Sequence, residues 1–119
     1  METITLEEFI ERLSKYKEHN IVAMLEGNID TEIDMKLADV IKEKNIIKIV
    51  FNKTKRKIYG EKLKIDIHQI KKIESDEDTE FYISFDSNQR IIFFTDMMVL
   101  LNYDYSKYDK QNCIDKASI

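Results

Sequence analysis

The chain of 119 residues has one cysteine, no proline, no tryptophan and two glycines. A single thiol, Cys113, rules out an internal disulfide, so an intracellular, cytoplasmic location is expected. The glycines, Gly27 and Gly60, lie too far apart to form a phosphate-cradling loop. No stretch reaches the roughly 18 apolar residues that a membrane span needs. The longest candidate, Ile91–Leu101, is interrupted by Thr95 and Asp96. The N-terminal METITLEEF is acidic and lacks an apolar core segment, so no signal peptide is expected. The lack of proline and tryptophan beside abundant Ile, Lys and Asn is the bias of AT-rich coding DNA and carries no functional information.

Chemistry-bearing motifs are equally scarce. No Ser/His/Asp or Cys/His arrangement stands in the local sequence. His19 and His68 are far apart, and neither has a metal-ligand spacing to Cys113. His19 suits a helix C-terminus, and His68 a bend in the sheet. Asp34-Met-Lys36 matches a fragment of the nuclease D/E-x-K pattern, but it falls on an expected helix and is read as chance. The expectation is a non-enzymatic protein with no metal and no cofactor, although a site assembled from distant residues would escape such a reading.

What is present is a folded-protein composition, 43% hydrophobic and 35% charged, of a length that suits one domain over residues 1–119. The strongest structural signal is Leu63–Thr95. Leu63, Ile65 and Ile67 alternate with Lys64 and Asp66, and Phe81, Ile83 and Phe85 alternate with Tyr82 and Ser84, the period of a strand buried on one face. Ile91–Thr95 is apolar on both faces, as a central or covered strand is. His68-Gln69 breaks the alternation and predicts a bend or bulge, with Ile70–Glu74 continuing as a separate strand. Hairpin connections are expected at Asp86–Arg90 and within Glu74–Glu80.

Upstream, Thr5–Tyr16 predicts an amphipathic helix, with a Thr5/Glu8 capping box and a stripe of Leu6, Phe9, Ile10 and Leu13. Asn20–Gly27 fits either a buried strand or a short helix and is read as a strand. Asp30–Lys44 predicts a second helix: Thr31 and Asp34 resemble a capping box, Ile33, Leu37, Val40 and Ile41 share a helical face, and Asn45 would adopt the left-handed cap. Asn45–Phe51 and Ile58–Ile67 predict strands, joined by the basic loop Lys53–Lys57. A short helix capped by Thr95 or Asp96 follows the last strand. The expected fold is α+β: a meander-like antiparallel sheet of about five strands, with two helices from the N-terminal half packed on one face.

Charge is segregated. Residues 1–44 hold 6 basic and 11 acidic side chains, residues 45–73 hold 9 and 2, and residues 74–119 hold 4 and 10. Neutralisation between adjacent hairpins explains this blandly. Two patches explain it sharply: a negative one at Glu74, Asp76, Glu77, Asp78 and Glu80, and a positive one at Lys53, Lys55, Arg56 and Lys57. Tyr103, Asp104, Tyr105, Tyr108 and Asp109 add a tail of the interface-prone tyrosine type, which could equally fold back over the sheet.

The function expected is that of a small protein-binding module. Its acidic and tyrosine-bearing surface would dock on a larger, basic protein. A narrower form is an inhibitor of a nucleic-acid-handling enzyme, of the kind phages use against CRISPR-type defence. The alternatives are nucleic-acid binding through residues 53–57 and structural homo-oligomerisation through a sheet edge or the apolar strand Ile91–Phe94.

Overall fold

The structure, a computed structural model, describes residues 1–27, 30–52 and 61–101. Eight strands form one antiparallel sheet: β1 (Glu2–Thr3), β2 (Asn20–Glu26), β3 (Thr31–Glu43), β4 (Ile46–Asn52), β5 (Glu61–Asp66), β6 (Ile70–Asp76), β7 (Glu80–Phe85) and β8 (Arg90–Phe94). Their spatial order is β1-β6-β7-β8-β2-β3-β4-β5. The described residues hold two helices, α1 (Leu6–Ser14) and the five-residue α2 (Met97–Leu101).

The connection between β5 and β6 shows that this sheet is curled. The two strands lie six places apart in the order, about 29 Å if the sheet were flat. Yet only the 3-10 turn Ile67–Gln69 joins them, and four Cα steps reach at most about 14 Å. Tracing the antiparallel pairs around the sheet shows that β5 and β6 run in the same direction. Together they form one bent strand that pairs with β4 before the corner and with β7 after it. β3 does the same opposite: Thr31–Lys36 pair with β2, and Lys36–Glu43 pair with β4, with a register shift between Leu37 and Asp39. Strands that change partner at a bend are how a sheet turns a corner and encloses a core.

Helix α1 lies against the concave face. Thr5 Oγ1 accepts from the Glu8 N–H, and Glu8 Oε1 accepts from the Thr5 N–H, so the expected capping box forms. Phe9 and Leu13 are fully buried. The Phe9 ring lies 5.7 Å from the rings of both Phe81 and Phe93. Burying such a side chain contributes about 1.5–3 kcal/mol. Inward-facing residues alternate in β4 (Ile47, Ile49, Phe51), in β7 (Phe81, Ile83), where alternation was expected, and in β8 (Ile91, Phe93), and all join one cluster with the helix. On the convex face, Val22, Met24, Ile92 and Phe94 form a second cluster, packed by Tyr82 and by Val99 and Leu100 of α2. This makes β2 and β8 buried on both sides.

Two expectations are corrected. The sheet has eight strands among the described residues rather than about five. The helix expected over Asp30–Lys44 is a strand, so one N-terminal-half helix packs on the sheet, not two. The bulge at Leu37/Asp39 explains the second error. Ile33 and Leu37, four apart, share a face in helix and strand alike. The inserted residue then puts Leu37 and Val40, three apart, on the same inner face, a spacing that otherwise belongs to helices. Thr31 and Asp34 cap nothing; they lie opposite Leu25 and Val22. At the β3–β4 turn, Lys44 rather than Asn45 takes the left-handed conformation, with φ 49°. The ambiguous Asn20–Gly27 is a strand, ending where Gly27 turns at φ 152° with Gln89 packed against it.

Candidate functional site

The β6–β7 turn shows how the acidic stretch is built. The Thr79 N–H donates to the Asp76 carbonyl at 3.0 Å. The two residues between them, Glu77 and Asp78, both have positive φ, at 53° and 58°, as in the turns that match the twist of a hairpin. Asp78 tolerates this conformation because its short polar side chain bonds locally. Its Oδ1 accepts from Ser75 Oγ at 2.6 Å, while its N–H donates back to Ser75 Oγ at 3.0 Å. The Asp78 carbonyl accepts from Thr95 Oγ1 at 2.6 Å.

Asp78 also reaches α1. The Arg12 guanidinium donates to Asp78 at 3.4 Å, to Glu2 at 3.1 and 3.2 Å, and to Glu8 at 3.1 Å. β1, α1 and the hairpin therefore bring three carboxylates to one arginine. That contact holds the Glu2 carboxyl below its usual range, first through the hydrogen bond and then through the positive charge. Arg12 is held more firmly protonated by the same bond to Glu2. Of the other acidic candidates, Glu74 pairs with Lys72 at 3.3 Å, and Glu80 accepts from the Tyr82 hydroxyl. Asp76 and Glu77 are exposed at the tip.

The positive candidates Lys53, Lys55, Arg56 and Lys57 lie outside the described residues, as do Tyr103, Asp104, Tyr105, Tyr108 and Asp109. The strands that flank the basic loop are described. Lys48 of β4 stands opposite Lys64 of β5, and Val50 stands opposite Lys62, all on the outer face. Lys48 bonds Glu43 at 2.7 Å. Glu43 is held below its usual range first by that bond, then by the Lys48 charge, with Lys62 and Lys64 adding to the effect. Among the described residues, neither Lys62 nor Lys64 lies within ion-pair distance of a carboxylate.

Sequence reasoning missed Glu2, Glu8 and Arg12 on the acidic side and Lys48, Lys62 and Lys64 on the basic side. Lys62 and Lys64 carried a signal, being two apart in an alternating strand. Arg12 carried only its i,i+4 spacing to Glu8, since Glu2 and Asp78 lie 10 and 66 positions away. Asp34 and Lys36 lie on a strand rather than the expected helix, so the reason for reading that pattern as chance does not hold. Among the described residues, no group of three or more His, Cys, Asp or Glu side chains could hold a metal ion. The His68 N–H donates to Asp66 in the corner turn, and the His19 ring lies 6.4 Å from Tyr16. Among the described residues, no helix is long and apolar enough to cross a membrane. Compared with protein-family models, curated proteins and solved structures, the chain gives no significant match.

Proposed function

We propose that this protein is a non-enzymatic protein-binding module whose acidic end docks on a larger, basic partner. The observation that carries this reading is the convergence of Glu2, Glu8 and Asp78, from three separate elements, on the single Arg12, with Asp76 and Glu77 exposed beside them. Carboxylates outnumber the cation, so the cluster keeps a net negative charge on a rigid base, and such a surface steers and orients a basic partner. Tyr103, Asp104, Tyr105, Tyr108 and Asp109 would add tyrosine contact area to the same kind of interface. In the narrower form, the partner is a nucleic-acid-handling enzyme, and the acidic end occupies the channel that otherwise holds phosphates.

A pull-down of tagged protein from host extract, with and without nuclease, tests this. The expected result is one stoichiometric protein that survives nuclease and is lost in the D76K/E77K variant, whose substitutions avoid the bonds of Asp78. Unchanged capture by that variant overturns the reading.

A second reading has its own observation. Lys48, Lys62 and Lys64 share the outer face of β4 and β5, and the strands are joined by residues 53–60, which hold four more basic side chains. This hairpin would bind nucleic-acid phosphates, with affinity falling steeply as salt rises. Recovery of nucleic acid that is lost in K62E/K64E selects this reading over the first.

A further inference from the structure

Strand β6 has seven residues, but β1 pairs only with Ser75 and Glu74 before the Ile4 N–H reaches the Ile73 carbonyl at 2.9 Å. The chain then leaves the sheet into α1. The edge of β6 from Ile70 to Lys72 has no strand beside it among the described residues. The register on the other side skips Lys71, which has no partner in β7. Beside this open edge lies a groove of about 310 Å³. Ile4, Leu6, Ile67 and Ile70 line it, with Lys71 and Lys72 from the same edge. Lys72 is held by Glu74, whereas Lys71 is exposed and, among the described residues, within ion-pair distance of no carboxylate.

We infer that this groove receives an extended acidic peptide, added as a short strand against Ile70–Lys72 where β1 stops. Three features select that occupant together. An unpaired strand edge supplies backbone donors and acceptors for an added strand. The apolar lining accepts alternate side chains of such a strand. The lysines match carboxylates on the side chains between them. An acyl chain would use the lining but not the edge, and a nucleic acid would use the lysines but not the lining.

The test uses the full chain and a fluorescent acetyl-Val-Glu-Val-Glu-Val-amide, followed by anisotropy and by amide shifts in NMR. Saturable binding is expected, with shifts centred on Ile4–Leu6 and Ile70–Ile73. It should weaken by roughly tenfold or more in K71E/K72E, with the fold checked by an unchanged spectrum elsewhere. The corresponding lysine peptide and an N-methylated acidic peptide should both fail to bind. The inference is overturned if the acidic peptide does not bind, if the N-methylated peptide binds equally well, or if the shifts fall elsewhere. Binding of decanoate without the peptide would also overturn it and make the groove an acyl site.

Discussion

Hairpin β6–β7 carries five carboxylates between Glu74 and Glu80, and three of them bond within the molecule: Asp78 to Ser75 and Arg12, Glu80 to Tyr82, and Glu74 to Lys72. Hairpin β4–β5 holds Lys48 against Glu43 but leaves Lys62 and Lys64 outside ion-pair distance of any described carboxylate. The two hairpins therefore differ in more than sign. On the acidic side, charge holds α1, β1 and the turn together, and only the tip is free to meet a partner. On the basic side, charge is carried by strands whose inner faces already hold them in place. A patch counted from sequence overstates the first surface and understates the second.

The largest expected effect comes from the core beneath the acidic hairpin. Phe9 touches Phe81 of β7 and Phe93 of β8. Phe9→Ala should cost about 3–5 kcal/mol, read from urea unfolding. Amide exchange should rise more in β7 and β8 than in β4 and β5. Equal acceleration in both hairpins would mean that α1 supports them alike and would break the comparison. Next in size is Asp78→Ala, which removes the bonds to Ser75 and Arg12 from a half-buried position and should cost about 1–3 kcal/mol. Lys64→Ala, on an exposed strand face, should stay within about 0.5 kcal/mol of the parent. Thermal melts of the two variants sharpen the contrast; similar losses would abolish it.

Much of the sheet was legible because one buried face imposes period two. Phe81/Ile83/Phe85 and Leu63/Ile65 announced their strands directly, and His68-Gln69 announced the corner. α1 was legible from local capping and stripe alone. β3 was not, because its bulge lies in the middle of a long strand and turns an alternating pattern into helical spacing. The undercount of strands followed from that error and from β1, whose two residues are too short to show any period. The acidic stretch was visible as charge, but its use was not. The partner of Asp78 is Arg12, and only the curled sheet brings them together.

The smallest effect is electrostatic, and it separates the hairpins most cleanly. Glu2 on the acidic side and Glu43 on the basic side both titrate below 4.5, the ordinary value of a glutamate. A carboxyl lowered by folding contributes stability that is fully present above the unfolded value and is lost as pH falls through the folded one. Both groups therefore favour folding at neutral pH, and both contributions fade on acidification below 4.5. Their surroundings then diverge. Arg12→Gln removes the main cause that lowers Glu2 and leaves desolvation and the Asp78 carboxylate, which raise it, against the weaker pull of the N-terminal ammonium. Lys48→Met removes the main cause at Glu43 and leaves Lys62 and Lys64, which lower it, against the desolvation that raises it. A carbon-detected NMR titration of the two side-chain carboxyls should show Glu2 losing its depression in the first variant, and Glu43 rising in the second and rising further when K62A/K64A is added. If K62A/K64A brings no further rise, Lys62 and Lys64 do not act on Glu43, and β5 lacks the field that its use as a phosphate-binding face requires.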